Sequence, residues 1–146
     1  MAARRHTGAE AEIKAVIDDW ADAMRAKDAR RVVSHGTADF VQFSLAPPLV
    51  SDAAGAEGLE KWFATWRGPL GYSVRDLRIT AGDDVAFAHS LNRLSGTKTD
   101  GQISEVWFRH TVGLRKVGGA WKIAHEHESV PFYMDGSFKA AVDLEP

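Results

Sequence analysis

The sequence predicts an α+β fold in which a curved antiparallel sheet wraps around three helices from the first half of the chain. Three observations predict it. Apolar residues recur at helical spacing only before Gly68. After Gly68 four long segments read as strands. The breaks between those segments, "AGDD", "TDG" and "VGGA", are hairpin turn signals, so consecutive strands pair as neighbours.

The first helix is "AEIKAVIDDWADAMRAKD". Ile13, Val16, Ile17, Trp20 and Met24 form its apolar stripe, with Lys14, Asp18, Asp22 and Arg25 on the other side. Asp18 and Asp19 read as solvated helix residues. Asp28 caps a second, short helix, "ARRVVSHG", closed by Gly36. "DFVQFS" alternates Phe40 and Gln42 with Val41 and Phe43, a strand. "LAPPLVSDAAG" is a loop, because Pro47 and Pro48 fit neither a ladder nor a helix interior. "AEGLEKWFATWRG" predicts the third helix, with Leu59, Trp62, Phe63 and Trp66 on one stripe. The strands follow: "YSVRDLRIT", "DVAFAHSLNRLSGTK", "QISEVWFRHTVGLRK" and "AWKIAHEHESVPF". The last three are long, so the sheet must curve, and a curved sheet closed by helices leaves a cone-shaped cavity. The tail 132–146 carries spaced Phe138, Val142 and Leu144, suited to lie across a partner subunit or the cavity mouth.

The chain has 146 residues, which fits one domain over 1–146 with an ordered core of about 10–131. A net charge of −2 gives no electrostatic case for nucleic acid or an anionic membrane as partner. Arg4 and Arg5 fall in a short N-terminal tail expected to be disordered. Without cysteine there are no disulfides, thiolate metal sites or cysteine nucleophiles. No segment approaches the roughly 18 apolar residues of a membrane span, and "MAARRHTGAEAE" is not a signal peptide, so the protein is expected in the cytoplasm. No phosphate loop, nucleophile elbow or triad order appears, and no cofactor is expected.

The pattern resembles the SnoaL-like branch of the nuclear transport factor 2-like superfamily, also described as ketosteroid isomerase homologues. The residues that carry the resemblance are "IKAVIDDWADAMRAKD", "GLEKWF", "RLSGTKTDG" and above all "RHTVGLRKVGGAWKIAHEHESVP". The last segment is also similar to the end of the calcium/calmodulin-dependent kinase association domain, through Thr111, Gly119, Trp121, His125, His127 and Ser129. The resemblance implies the cone-shaped cystatin-like architecture, but the superfold hosts many activities. It also implies that the steroid isomerase constellation is absent. The isomerase aspartate falls at Ser44, its first-helix tyrosine at Trp20 and its protonated aspartic acid near Thr111. Of the association domain's pocket arginines, one matches Arg93, while two others fall at Val112 and Glu128.

"WKIAHEHES" holds the candidate chemistry. Strict alternation puts His125 and His127 on one face with Trp121, Ile123 and Ser129, and Glu126 and Glu128 on the other. The register stays open. A two-residue turn at "VGGA" pairs Val112 with His125 and Arg109 with Glu128. A three-residue turn with a bulge sets Arg109 opposite His127 and Thr111 opposite His125. His127 and Glu128 are the candidate proton carriers, and Trp20, Arg93, Arg109, Thr111 and His125 the candidate ligand contacts. Each has a structural alternative: histidines hydrogen-bonded within the sheet, and arginines paired with Glu105, Glu126 or Glu128. A metal site would need His89, His110 or Glu105 to join the histidines; none is expected.

The expected function is a pocket for a small, largely apolar compound with a polar handle. If it is an enzyme, the chemistry is cofactor-independent acid/base isomerisation, cyclisation or dehydration. The alternatives are a non-catalytic carrier or sensor, and a dimerisation or assembly module. Long strands with apolar residues on both faces need a second cover, so a homodimer is expected.

Overall fold

The computed structural model describes residues 7–52 and 55–146; Arg4 and Arg5 lie outside the described residues. Helices α1 (Thr7–Arg25) and α2 (Ala29–Ser34) precede strands β1 (Gly36–Phe43) and β2 (Ser51–Asp52). Helix α3 (Ala56–Phe63) follows, then β3 (Trp66–Ala81), β4 (Val85–Lys98), β5 (Ile103–Val117) and β6 (Ala120–Ser129). The strands form one sheet in the order β2-β1-β6-β5-β4-β3. This is the expected α+β architecture of three helices on a bent sheet. One pairing departs from the antiparallel rule: β1 runs parallel to β6 and completes the sheet beyond the meander.

The core forms where α1 crosses one face of the sheet. Ile13, Ile17, Trp20 and Met24 turn inward as the helical period requires and meet Tyr72, Phe108, Val112 and Ile123. On β4 and β5 the even-numbered residues face this layer, from Ala86 to Leu94 and from Phe108 to Leu114. The odd-numbered ones, such as Phe87, Arg93, Arg109 and Thr111, face outward. Asp28 caps α2 by accepting a hydrogen bond from the Arg31 amide. Asp19, expected to be merely solvated, instead ties α1 to the end of α2. It accepts from Arg31 and lies 2.6 Å from His35 Nε2, and these bonds, Arg31 first, lower its pKa to about 2.

The third helix ends sooner than its apolar stripe suggests. Phe63 is its last residue, and Trp66 opens β3, where its ring still packs against Trp62 at 5.8 Å. The close approach of that ring also explains Gly96, since a Cβ there would come within 2.9 Å of it.

The β5–β6 hairpin decides which side chains face the core. Its turn is Gly118–Gly119, with φ of 57° and 82°, values open to glycine at little cost. The turn pairs Val117 with Ala120, and the register holds as far as Leu114 opposite Ile123. Ala124 then bulges out, so Gly113 meets His125, Thr111 meets His127 and Arg109 meets Ser129. The register expected of a two-residue turn thus holds beside the turn and is lost at the bulge, so neither expected partner of His125 faces it. Before the bulge Trp121 and Ile123 point inward; after it Glu126 and Glu128 do, while His125 and His127 point out.

Deleting Ala124 should make the ladder regular without exchanging its faces, because His125 then follows Ile123 directly and stays outward while Glu126 and Glu128 stay inward. The expected change in stability is small, within about 1 kcal/mol by urea denaturation, because the buried polar groups keep their partners. Gly119→Val should cost on the order of 1–2 kcal/mol in the same measurement, from the left-handed backbone it must keep.

Candidate functional site

Between the inner face of the sheet and the helices lies a cavity of about 430 Å³, within the range of small-ligand pockets. Each element supplies a wall. Helix α1 contributes Trp20 and Met24, α3 contributes Leu59 and Trp62, and β1 contributes Phe40 and Gln42. Tyr72 comes from β3, Leu94 from β4 and Phe108 from β5. Strand β6 contributes Ile123, Glu126 and Glu128, and the loop after β1 brings Ser44, Leu45 and Ala46 to the lining.

The two carboxyls are the polar centre of this apolar space. Glu126, 6% exposed, lies 2.8 Å from His110 Nε2. The Gln42 amide donates to both acids, at 3.3 Å to Glu126 and 2.9 Å to Glu128. The parallel register makes this possible, because Gln42 sits directly opposite Glu126. His110 is itself positioned by Trp20, whose ring stacks on the imidazole at 5.5 Å between centroids. Burial, then the charge and hydrogen bond of Glu126, push the Glu128 pKa well above its ordinary 4.5, with the Gln42 amide opposing them.

A second polar chain sits beside the first. Ser90 donates to Asn92, and the fully buried Asn92 donates through its amide to Tyr72 Oη at 2.8 Å. With that lone pair occupied, the Tyr72 hydroxyl hydrogen is left to point elsewhere. Burial and the charges of Glu126 and Glu128 hold the phenol protonated, well above its usual range.

Of the residues singled out from sequence, Trp20 and Glu128 line this cavity. The other five lie on the opposite, outer face of the sheet. Arg93 pairs with Glu105 at 2.8 Å, the structural alternative weighed for it. Arg109 donates to the Ser129 hydroxyl at 3.1 Å. Arg109 and Thr111 border an open outer groove with Arg78 and His89. His125 Nδ1 lies 2.7 Å from the Val41 carbonyl, and the Phe43 ring packs edge-on against both His125 and His127. The physical reason is the Ala124 bulge for the β6 histidines, and strand parity for the rest.

Sequence reasoning left out Gln42, Tyr72, Asn92 and Glu126, and took His110 only as a metal candidate. A signal existed for three of them. Asn92 and His110 occupy inward positions of mostly apolar strands, and Gln42 shares its face of β1 with Phe40. The tail 132–146 takes no part in the lining. It folds on itself through a Phe132–Ala140 bridge and a Tyr133–Asp143 hydrogen bond. No helix among the described residues is long and apolar enough to cross a membrane.

Comparison with known proteins adds a family and a set of folds. A model of the SnoaL-like domain matches residues 13–133. The structure of a nuclear transport factor 2-like protein of unknown function from Pseudomonas putida KT2440 is similar at 33% identity, over 96% of this chain and 98% of that one, with a TM-score of 0.84. A protein from Novosphingobium aromaticivorans described as a scytalone dehydratase shares the fold at 15% identity, covering 82% of each chain, with a TM-score of 0.70. So does one from Xanthomonas campestris described as a calcium/calmodulin-dependent protein kinase II association domain. It is 24% identical over 81% of this chain and 84% of that one, with a TM-score of 0.66. A search of curated proteins returns no match.

The raised Glu128 pKa has a measurable consequence. The folded protein holds this proton more tightly than the unfolded chain. Its contribution to stability is therefore complete below pH 4.5 and declines as pH climbs toward the raised value. Glu128→Gln should accordingly be more stable than the wild type at pH 8, by roughly 1 kcal/mol or more, with the gap closing near pH 4. Urea denaturation at both pH values checks this.

Proposed function

The chain belongs to the SnoaL-like domain family, and from that premise we propose that it is a single-domain small-molecule protein whose cavity moves protons on a largely apolar compound without a cofactor. The observation that carries this reading is the pair of inward carboxyls with divergent surroundings. Glu128 is desolvated and pushed up, whereas Glu126 is held by an imidazole and an amide. Two neighbouring acids driven apart in this way divide the roles of proton donor and acceptor between them. Glu128 keeps its proton and acts as the acid. Glu126, with His110 behind it, is the base. Tyr72 offers its hydroxyl hydrogen to an oxygen of the ligand, and Trp20 forms the wall against which the apolar body rests. His127, on the outer face, passes its expected role to the Glu126–His110 pair. The reaction class is isomerisation, cyclisation or dehydration of a carbonyl compound.

We also propose a homodimer joined through the outer face of the sheet. There Val85 and Phe87 remain 58% and 51% exposed, and Leu91 and Trp107 are half-buried farther along the same face. An apolar patch on a long strand pair favours a second copy over water.

Acid/base competence is tested by deuterium exchange at the α-carbons of a panel of cyclic ketones in D2O, followed by NMR. The wild type should accelerate exchange for at least one ketone, and Glu126→Gln should slow it by about 100-fold or more. Binding without exchange would leave a non-catalytic carrier. Light scattering is expected to give twice the 16.0 kDa chain mass, and Phe87→Glu to shift it toward the monomer.

A further inference from the structure

The ionisable groups that face the cavity are all acids. Among its described lining residues there is no lysine, arginine or histidine, while Glu126 and Glu128 both face in from β6. The group of opposite tendency within reach is His110, and its Nε2 is engaged with Glu126. Gln42 has two amide hydrogens, and each already serves one carboxyl. Glu128 thus borders the hollow with one neutral donor and no cation. An anionic ligand would meet two carboxyls and no compensating cation there, whereas a bound cation would draw off the Glu128 proton and pair with the carboxylate left behind.

The remaining wall is rich in aromatic rings: Trp20, Phe40, Trp62, Trp66, Tyr72 and Phe108. Their faces attract an organic cation and offer nothing to an anion.

We propose that the ligand is an organic base, an apolar body ending in a protonated amine, with the ammonium seated against Glu126 and Glu128 and the body against the aromatic wall. This rests on the reading of the cavity as a ligand site and is independent of catalysis there. The ammonium supplies the positive charge that the protein withholds from Glu128. The aromatic rings enclose the apolar carbons and face the charge from the side.

Three probes with one body and different charge test it by isothermal titration calorimetry at pH 7.5: 1-naphthylmethylamine, 1-naphthalenemethanol and 1-naphthoate. The amine should bind about tenfold or more tightly than the alcohol, and the naphthoate should not bind at millimolar concentration. Glu128→Gln should weaken the amine by about tenfold and leave the alcohol within about twofold. Glu126→Gln is the second variant should Glu128→Gln fail to fold by circular dichroism. Equal binding of amine and alcohol, detectable binding of naphthoate, or an amine affinity unchanged in the variant would each overturn the proposal. Alcohol binding without an amine preference would leave the cavity reading intact; silence from all three probes would remove both.

Discussion

Ala124 has no residue opposite it on β5, and every side chain after it on β6 changes face as a result. A strand's side chains alternate with a period of two, so one unpaired residue exchanges the two faces for the rest of the strand. Trp121 and Ile123 need the inner face because they are apolar and bulky. Without the bulge, the residues continuing on that face would be His125 and His127. With it, they are Glu126 and Glu128. The chemical character of the cavity, acidic rather than imidazole-bearing, follows from that single displacement.

Two carboxyls in an apolar hollow are costly unless their charge is spread or removed. The surrounding elements do both. The parallel pairing of β1 with β6 brings Gln42 opposite Glu126 and within reach of Glu128, so one amide serves two acids. Strand β5 presents His110 to Glu126, and α1 clamps that imidazole beneath Trp20. Glu128 receives less help, and burial beside a like charge pushes its pKa well above the usual carboxylate range. The arrangement is thus asymmetric by construction, which is what separates a donor from an acceptor.

The two faces of the sheet divide the chain's polar chemistry between them. Carboxyls, amides and a phenol face inward, enclosed by aromatic rings. Guanidiniums and the β6 imidazoles His125 and His127 collect outside, where Arg93 is neutralised by Glu105 and Arg109 leans on Ser129. The same strand positions that give a dry inner surface leave Phe87 and Trp107 on the outer one. One side of the sheet is therefore suited to a small molecule and the other to a protein surface.

Much of this was legible from the residues alone. Helical period set α1 and its inward Trp20, Asp28 announced its own cap, and the glycine pair marked a hairpin turn while leaving its length open. The repeated turn signals gave the meander, and the length of its last strands gave the hollow. These features depend on local spacing, which a sequence carries directly. The site depended on relations that it does not carry. A bulge leaves no mark in composition, since Ala124 is as ordinary in a ladder as beside one. The Gln42–Glu126–Glu128 contact joins residues more than eighty positions apart, through a parallel pairing no turn encodes. So the types of residue available for chemistry were written in the chain, while their division between cavity and outer face was decided only when β6 slipped by one residue against β5.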